Sequence, residues 1–572
     1  MKFILRLIKK RLGLFLTAVF FLLLETTAEL MQPTYMSYIV DNGVKTKDTG
    51  AILHYGLIMV GIALVGALGA VMRNLFASYT SQLISKDLRS ELYRKVQTLS
   101  FENIDRLQPA SIITRITNDV NQIQNFVNGC MRVMLRAPLM GLGSVVLILV
   151  RTPKHAPLML AVLGIAAVLI GANVKFGYPR FGKLQKQLDR LNNVSREFLS
   201  AIRVVKAFHA EEEEEQKFAD VSEDYAQAGI GAMRISAIFS PLLNLTVNLG
   251  IVLLLWRSQA ENAGEIGRLM ATVNYMTQVL FALGMISVIL NSAVRAITSS
   301  RRVQEILDEV PVQPLPENPQ AAKFQGAVSF EHVSFRYAGT QRDAVSDLNF
   351  SVRPGETVGI IGPTGSGKTT LVNLVPRFYD ATAGVIRIDG ADLMRLDPER
   401  LREVIAVVPQ KPVLFSGTIA ENLRWGDDTA GEEQIRHAAA LACADEFIDT
   451  FPKGYETQLG QGGVNLSGGQ KQRLSLARAL VRRPKILILD DCTSALDAAT
   501  EAKVLKALRE EAADITMLLI SQRISTVMRA DRILCLEDGR MQGFGTHAEL
   551  LAGCRAYQAI YESQIGGDSD GR

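Results

Sequence analysis

The sequence predicts a membrane α-helical bundle of six transmembrane helices with long cytosolic extensions, fused to an α/β domain that contains a glycine-rich loop. Three observations predict this class. Six apolar stretches fill the first half of the chain, a proline-dense segment follows them, and a glycine-rich loop between a buried strand and a helix lies in the second half. Hydrophobic residues make up 48% of the 572-residue chain and charged residues 21%, an average over two unlike regions.

The six apolar stretches are long enough to cross a bilayer, which needs about 20 residues in a helix. An even number of spans returns the chain to the side of the membrane on which it began. The stretches are residues 11–31, 55–71, 133–150, 157–174, 235–256 and 266–290.

Charge and loop length predict the orientation of these spans. Basic residues at the start of the chain place the N-terminus in the cytoplasm by the positive-inside rule. They are Lys2, Arg6, Lys9, Lys10 and Arg11. No convincing cleavage site follows the first stretch, so we interpret it as a retained helix and not a signal peptide. The connections 74–130 and 175–234 are long and charged, and they predict helical extensions into the cytosol.

A proline-dense segment marks the domain boundary. Pro311, Pro314, Pro316 and Pro319 fall close together after the last helical pattern, which is typical of an extended linker. We therefore expect a transmembrane domain over residues 1–310, a linker over 311–325 and an α/β domain over 326–562. The polar, glycine-rich residues 563–572 predict a flexible tail.

The glycine-rich loop matches the pattern G-x-x-x-x-G-K-[ST] and follows the buried strand predicted at 356–361. It reads Gly362-Pro363-Thr364-Gly365-Ser366-Gly367-Lys368-Thr369-Thr370. Glycines let the backbone N–H groups wrap a polyphosphate, and the helix that follows adds the positive end of its dipole. Lys368 supplies a charge for the β- and γ-phosphates, and the Thr369 hydroxyl suits Mg²⁺.

A second buried strand, residues 485–491, ends in the carboxylates Asp490 and Asp491. Asp490 is placed to hold Mg²⁺, and Asp491 stands where a carboxylate would polarise the attacking water. Between the two strands, Ser467-Gly468-Gly469-Gln470 opens a predicted helix and forms another anion site. One nucleotide does not need two phosphate sites about 100 residues apart in one domain. The second site therefore indicates a nucleotide bound by a different domain.

These motifs resemble those of the ATP-binding cassette (ABC) family, and the whole chain resembles an ABC exporter half-transporter. The resemblance implies ATP and Mg²⁺ as cofactors. It also implies that Tyr337 stacks on adenine and that Gln410 contacts Mg²⁺ and couples to the membrane domain. Residues 466–470 match the family's signature motif, Ser494 to Asp497 its D-loop, and Ser521-Gln522-Arg523 its switch loop. In the family, both long cytosolic connections contain a short coupling helix that docks on an ATP-binding domain.

Two positions depart from the family pattern. The family usually has Glu where this chain has Asp491, and His where it has Gln522. Joint substitution is similar to the pattern of bacterial heterodimeric multidrug exporters with one degenerate nucleotide site. It implies a second, catalytically complete half-transporter as partner, whose ATP site is completed by Ser467, Gly468, Gly469 and Gln470. The resemblance also places Asp497 of the D-loop among the nucleotide-binding residues.

The resemblance implies ATP-driven export of amphipathic drugs or similar compounds through a bacterial plasma membrane, with both termini and the ATP-binding domain in the cytoplasm. Two alternatives are a homodimeric lipid or peptide exporter with slow turnover and an ATP-gated, channel-like ABC protein. The net charge of +4 is too small to suggest nucleic acid as a partner.

Glu25 and Glu29 lie four residues apart, on one face of the first predicted span. Because a carboxylate inside the bilayer is costly, it defaults to a functional hypothesis. One interpretation is a cation-accepting wall in a drug cavity. The alternative is an outer, water-filled position or pairing with Arg73, Arg132 or Arg136.

Overall fold

The computed structural model describes residues 2–259, 266–316, 318–320, 323–511 and 513–565. The chain divides into a helical unit, Met1–Gln97 with Ala110–Asp308, and an α/β unit, Thr98–Pro109 with Glu309–Arg572. The short segment Thr98–Pro109 thus groups with the α/β unit, although the sequence-based boundaries assign it to the transmembrane domain. Most of the predicted flexible tail, from residue 566 onward, lies outside the described residues.

The first half of the chain consists of helices. In chain order they are α1 (Lys2–Lys10), α2 (Leu12–Tyr38), α3 (Thr49–Gln97), α4 (Phe101–Leu107), α5 (Pro109–Thr114), α6 (Val120–Gly129), α7 (Arg136–Arg151), α8 (Ala156–Phe208), α9 (Glu211–Gln259), α10 (Ile266–Gly284) and α11 (Ile286–Asp308). Single π-helical turns at Ile39–Val44, Arg115–Asp119 and Cys130–Met134 adjoin α2, α6 and α7.

Three helices are much longer than a membrane is thick. Helix α3 has 49 residues, α8 has 53 and α9 has 49. At 1.5 Å per residue, each is about 75 Å long, more than twice the roughly 30 Å hydrocarbon core of a bilayer. These helices therefore have the long extensions that the sequence predicts for connections 74–130 and 175–234.

Five helical segments are long and apolar enough to cross a membrane, by length and composition, among the described residues. They are Leu12–Val44, Thr49–Gln97, Pro109–Arg151, Pro153–Phe208 and Glu211–Arg257. The sixth predicted span, residues 266–290, is not among them. A turn at Met285 divides it into α10 and the start of α11, and Arg268, Asn274 and Gln278 lower its hydropathy. The sixth span stays a prediction.

Within the helical unit, Glu25 and Glu29 on α2 are paired with arginines. Glu25 and Arg73 are 4% and 5% exposed, and their two hydrogen bonds measure 2.5 Å (Nε to Oε2) and 3.2 Å (Nη2 to Oε1). Arg136 Nη2 lies 2.5 Å from Glu29 Oε1, and its Nη1 lies 3.5 Å from Glu25 Oε1. Of the alternatives left open by the sequence, this arrangement is the pairing with Arg73 and Arg136. Because the Glu25 carboxylate is paired with these two arginines, it does not form an open cation-accepting wall.

The α/β unit contains two main sheets. Its strands are β1 (Val328–Phe335), β2 (Val345–Val352), β3 (Thr357–Ile361), β4 (Ala383–Ile388), β5 (Ala391–Asp392), β6 (Ile405–Val408), β7 (Gly417–Thr418), β8 (Gln458–Leu459), β9 (Ile486–Asp490), β10 (Thr516–Ile520), β11 (Arg532–Glu537) and β12 (Arg540–Gly545). One sheet has the order β2-β1-β4-β5, the other β12-β11-β3-β10-β9-β6, and β7 pairs with β8.

The helices of the α/β unit surround these sheets. They are α12 (Lys368–Leu374), α13 (Pro398–Val404), α14 (Ile419–Arg424), α15 (Glu432–Leu441), α16 (Asp445–Ile448), α17 (Gly468–Val481), α18 (Ala498–Glu511), α19 (Ile524–Val527), α20 (His547–Gly553) and α21 (Arg555–Ile565). A buried apolar cluster joins α14, α15 and α17 to β6, β9 and β10.

The apolar runs predicted as buried strands form the centre of the larger sheet. Strands β9 and β10 are buried along their whole length, and β3 from Val358 onward. Such continuous burial is typical of parallel strands covered on both faces. Leu518 pairs with Val358 on one side and with Ile488 on the other, in parallel register. The carboxyl ends of β3, β9 and β10 therefore meet at one edge of the sheet, where ligands of open α/β sheets bind.

The proline-dense segment is extended and is held by one buried arginine. Neither helix nor strand occurs in the described residues between Asp308 and Val328. Arg377, 1% exposed, donates from Nη2 to the Pro314 carbonyl at 3.1 Å and from Nε to Asp380 at 2.8 Å. Gln313 Nε2 donates to the same Asp380 carboxylate at 3.2 Å. The linker thus packs along the α/β unit.

Helix α4, which belongs to the long connection 74–130, packs within the α/β unit. Asn103 is fully buried, and its amide nitrogen donates to Glu309 Oε1 at 2.6 Å and to the Val310 carbonyl at 2.9 Å. The Phe101 and Phe378 rings lie 4.6 Å apart. These contacts explain why Thr98–Pro109 groups with the α/β unit.

Candidate functional site

The glycine-rich loop between β3 and α12 curls around the Lys368 ammonium group. Lys368 Nζ donates to the carbonyl oxygens of Gly362 and Pro363, both at 2.8 Å, and to Ser366 Oγ at 3.4 Å. Gly367 has φ +95°, and a Cβ there would lie 2.5 Å from the Ala344 carbonyl oxygen. A residue with a side chain would be both strained and obstructed at this position. The loop therefore has the conformation that its glycine pattern predicts.

Strand β9 ends at Asp490, and Asp491 follows it at the carboxyl edge of the sheet. Both are nearly buried, at 6% and 7% exposure. Asp490 Oδ1 accepts a hydrogen bond from Thr369 Oγ1 at 3.1 Å, and this bond joins the end of β9 to the glycine-rich loop. Asp491 has φ +47°, so the chain turns out of the strand at this residue, and its N–H donates to the Ile520 carbonyl at 3.0 Å. The two carboxylates thus lie beside the loop, at the end of a strand that β10 separates from β3.

Two glutamines converge on the Asp491 carboxylate. Gln410, after β6, and Gln522, after β10, each donate from Nε2 to Asp491 Oδ2 at 3.2 Å. Gln410 and Gln522, which the sequence places in two different motifs, therefore meet at one oxygen atom of Asp491. An atom bound to this edge of the sheet would lie within reach of all three side chains.

Tyr337 borders the same cavity from the smaller sheet. Its hydroxyl lies 3.1 Å from Thr370 Oγ1, and its ring packs edge-on against Phe335 and Tyr379. The cavity has a volume of about 350 Å³. Its lining residues are Tyr337, Ala344, Thr364, Gly365, Ser366, Gly367, Lys368, Thr369, Thr370, Gln410, Asp490, Asp491, Ile520 and Gln522. An aromatic ring and a cationic loop that line one cavity suit a base and a polyphosphate.

Burial favours the neutral forms of two charged groups in this cavity, Lys368 and Asp490. Desolvation lowers the pKa of Lys368, which Asp491 and Asp490 partly offset by attraction. Desolvation raises the pKa of Asp490, and repulsion from Asp491 adds to this, against the Thr369 hydrogen bond and the Lys368 charge. Both shifts decrease when an opposite charge enters. The lysine thus favours an anion and the aspartate a cation.

The oxygen atoms around Asp490 fit a hard divalent cation. Thr369 Oγ1 and Asp490 Oδ1 are already 3.1 Å apart, and the Gln410 amide oxygen belongs to a side chain that lines the same cavity. Mg²⁺ prefers few protein oxygens and completes its shell with water and substrate phosphates. The three residues predicted to hold Mg²⁺ therefore fit it.

Ser467, Gly468, Gly469 and Gln470 lie elsewhere on the α/β unit, at the start of α17. Ser467 Oγ accepts from the Gln470 N–H at 3.3 Å, and the Gln470 side chain accepts from the Ser467 N–H at 2.9 Å, forming a capping box. Ser467 and Gly468 are exposed. None of the four lines the cavity, as far as its described residues show.

Asp497 also lies outside the cavity lining. Its carboxylate accepts from the N–H groups of Ala499 and Thr500 at 3.1 and 2.9 Å and from the Thr500 hydroxyl at 2.7 Å. It therefore caps the start of α18, and these hydrogen bonds lower its pKa. The carboxylate that sequence reasoning placed among the nucleotide-binding residues is engaged by its own helix.

Sequence reasoning missed Glu501 on α18, which links the segments after β9 and β10. Glu501 is 6% exposed, and its Oε1 accepts from Thr493 and Thr526 at 2.7 and 2.9 Å. Its Oε2 accepts from Arg523 Nη1 at 3.2 Å. A glutamate in a polar helical stretch looks like an ordinary exposed residue, and only its position one turn after Asp497 offered a signal.

Comparisons with known proteins agree with this architecture. Residues 15–283 match the family model described as the ABC transporter transmembrane region, and residues 345–494 match the model described as ABC transporter. The chain is 40% identical over 552 residues to the uncharacterized ABC transporter ATP-binding protein YfiB of Bacillus subtilis, covering 96% of each chain. It is 31% identical over 564 residues to the ATP-dependent lipid A-core flippase of Pseudomonas aeruginosa, covering 95% of this chain and 93% of the flippase.

A solved structure is similar over nearly the whole chain. The structure of a bacterial Atm1-family ABC exporter with ATP bound has a TM-score of 0.78 at 25% identity and is matched over 98% of both chains. The predicted fold class, a membrane helical region fused to an ABC ATPase domain, is confirmed. The chain therefore belongs to the ABC transporter family, as an exporter half-transporter with an ATPase domain that drives transport.

Proposed function

We propose that this half-transporter is the degenerate-site subunit of a heterodimeric exporter. It binds Mg-ATP in its own cavity, hydrolyses it slowly, and contributes Ser467, Gly468, Gly469 and Gln470 to the competent site of its partner. The observation that supports this most directly is the pairing of Asp491 with Gln522, since both differ from the usual family residues and both lie at one point of the cavity.

Slow hydrolysis is expected because the Asp491 side chain is shorter than that of the usual glutamate. Aspartate lacks one methylene of glutamate, which retracts the carboxylate by roughly 1.5 Å. A 1 Å misplacement of a catalytic group can lower a rate by about 10²-fold. Gln522 can still donate a hydrogen bond to a γ-phosphate, but its amide does not take up or release a proton. We therefore expect binding to be retained and hydrolysis to be impaired.

The binding groups have distinct roles in this proposal. Tyr337 stacks on the adenine, and Lys368 with the loop N–H groups neutralises the phosphates. Thr369, Gln410 and Asp490 would hold Mg²⁺, which supplies charge neutralisation of the phosphate oxygens when bound. Asp491 orients a water molecule through Oδ2, whose position is set by the amides of Gln410 and Gln522.

The proposed setting is a bacterial plasma membrane, with the chain spanning it several times and both termini and the ATPase domain in the cytoplasm. The partner is a second half-transporter with Glu and His at the positions of Asp491 and Gln522. We propose an amphipathic small molecule as substrate. A relative at 31% identity is a lipid A-core flippase, and a lipid is itself amphipathic. The second candidate is a homodimeric lipid exporter with slow turnover, and that relative favours its lipid substrate.

The test restores the family residues in this chain. The complex is prepared with Ser467→Ala in this chain, which silences the partner's site, so that the remaining hydrolysis reports the site of Asp491. Single-turnover hydrolysis is then measured with and without Asp491→Glu plus Gln522→His. We expect the restored pair to raise the rate by about 10-fold to 10²-fold.

Asp491→Asn in the same Ser467→Ala background provides the baseline for this measurement. Two results contradict the proposal. One is a restored pair that hydrolyses no faster than Asp491 with Gln522. The other is residual hydrolysis in the Ser467→Ala background that equals the rate of the unmodified complex.

A further inference from the structure

The last helix of the chain, α21, contacts the switch loop through one side chain. Gln564 Oε1 accepts a hydrogen bond from the Ile524 N–H at 2.8 Å, and Gln564 Nε2 donates to the Gln522 carbonyl at 2.8 Å. The two backbone groups lie on either side of Arg523. A single amide thus satisfies both and fixes the spacing between them.

Helix α21 is a firm base for this contact. Tyr557 on α21 is fully buried, in an apolar cluster that also contains Ile361, Ile524 and Val527. The Tyr557 hydroxyl lies 2.7 Å from His547 Nδ1 on α20. The same cluster therefore joins the end of β3, the start of α19 and the C-terminal helix.

The side chains of the switch loop point away from α21 toward the cavity and the segment after β9. Gln522 Nε2 donates to Asp491 Oδ2 at 3.2 Å. Arg523 Nη1 donates to Glu501 at 3.2 Å, and its Nη2 to the Ser494 carbonyl at 3.4 Å. Gln564 holds the Gln522 carbonyl and the Ile524 N–H while the Gln522 and Arg523 side chains reach toward the nucleotide side.

We propose that Gln564 is a positioning residue that sets how well this ATPase domain distinguishes ATP from ADP. By holding the Gln522 carbonyl and the Ile524 N–H, it keeps the Gln522 amide at the place where a γ-phosphate arrives. The inference rests on the proposed role of Gln522 as the γ-phosphate sensor. ADP has no γ-phosphate, so its binding does not depend on this contact.

The experiment compares nucleotide binding by the full-length complex in lipid nanodiscs. This chain is photolabelled with 8-azido-ADP and separated from its partner by gel electrophoresis. Before illumination, ADP or the non-hydrolysable analogue AMP-PNP competes with the label, and the loss of labelling measures its displacement. The variants are Gln564→Leu, which keeps the size of the side chain and removes both hydrogen bonds, and Gln522→Ala. Gln558→Leu is the matched control, because Gln558 lies on the same helix and donates to a backbone carbonyl, that of Leu551, away from the switch loop.

For Gln564→Leu we expect the AMP-PNP concentration for half displacement to rise about threefold to tenfold, the range that one or two neutral hydrogen bonds contribute. Displacement by ADP is expected to be unchanged, as are both values for Gln558→Leu. Equal shifts for AMP-PNP and ADP, no shift, or the same shift in Gln558→Leu would overturn the inference. The ratio of the ADP to the AMP-PNP concentration for half displacement measures the preference for a nucleotide with a γ-phosphate. If Gln522→Ala itself leaves this ratio unchanged, the sensor role of Gln522 is refuted. If Gln522→Ala lowers the ratio and Gln564→Leu does not, only the role of Gln564 is refuted.

Discussion

At the scale of the residue, Asp490 shows how the site is tuned for a cation. Burial and the neighbouring Asp491 raise the pKa of its carboxyl group in the folded protein. An acid whose pKa is higher in the folded than in the unfolded state contributes stability at low pH, and this is lost as the pH rises through the folded pKa. Above that pKa the ionised Asp490 therefore lowers the stability of the nucleotide-free protein.

Asp490→Asn removes this buried charge and can keep the hydrogen bond from Thr369. Without nucleotide or Mg²⁺, we expect the variant to unfold at a higher temperature than the unmodified protein at pH 8. The difference should narrow as the pH falls and Asp490 takes up a proton. Thermal unfolding followed at several pH values measures this. A lower midpoint at pH 8, or a difference that does not change with pH, would show that burial of the charge is not the cause.

Local patterns in the sequence predicted the loop and the two carboxylates, but not which side chains from distant segments meet at them. Gly362–Thr370 and Asp490 are recognisable because spacing and flanking strands specify their geometry. Gln410 and Gln522 meet at Asp491 across 81 and 31 residues of sequence. Only the parallel register of the central strands brings these side chains together, and no short pattern encodes that register.

At the scale of the element, composition predicted the long helices, while the pairing of charges between them needed the structure. Hydropathy indicates which segments can lie in lipid, but it does not show which helix faces which. Glu25 on α2 and Arg73 on α3 are almost completely buried against each other. The same limit applies to the sixth predicted span, because hydropathy averaged over 266–290 does not reveal the turn at Met285.

Removing one partner of this buried pair should destabilise the protein more than removing both. Glu25→Gln leaves the Arg73 charge buried without compensation, a change that typically costs about 3–5 kcal/mol. We expect Glu25→Gln and Arg73→Met each to lower the thermal stability of the detergent-solubilised protein, and the double variant to recover much of the loss. Glu29→Gln is the control, since Glu29 and Arg136 are about one-third exposed. Additive losses in the double variant would mean that the two side chains act independently.

At the scale of the whole molecule, the two faces of the ATPase domain serve different sites in the proposed heterodimer. The cavity at the carboxyl ends of β3, β9 and β10 contains the altered pair Asp491 and Gln522. The exposed start of α17, with Ser467 and Gly468, lies outside the lining of that cavity. In a heterodimer the first face affects a slow site and the second a fast one, whereas in a homodimer both faces affect every site.

The most direct test compares total ATP turnover of the purified complex with Ser467→Ala and with Asp491→Asn. Loss of one preorganised donor to the transferring phosphate typically lowers a rate by about 10²–10³-fold, so Ser467→Ala should nearly abolish turnover. Asp491→Asn removes a charge from a site that already contributes little, and most of the turnover should remain. An equal collapse of activity in the two variants would contradict the asymmetric heterodimer and favour the slow homodimer.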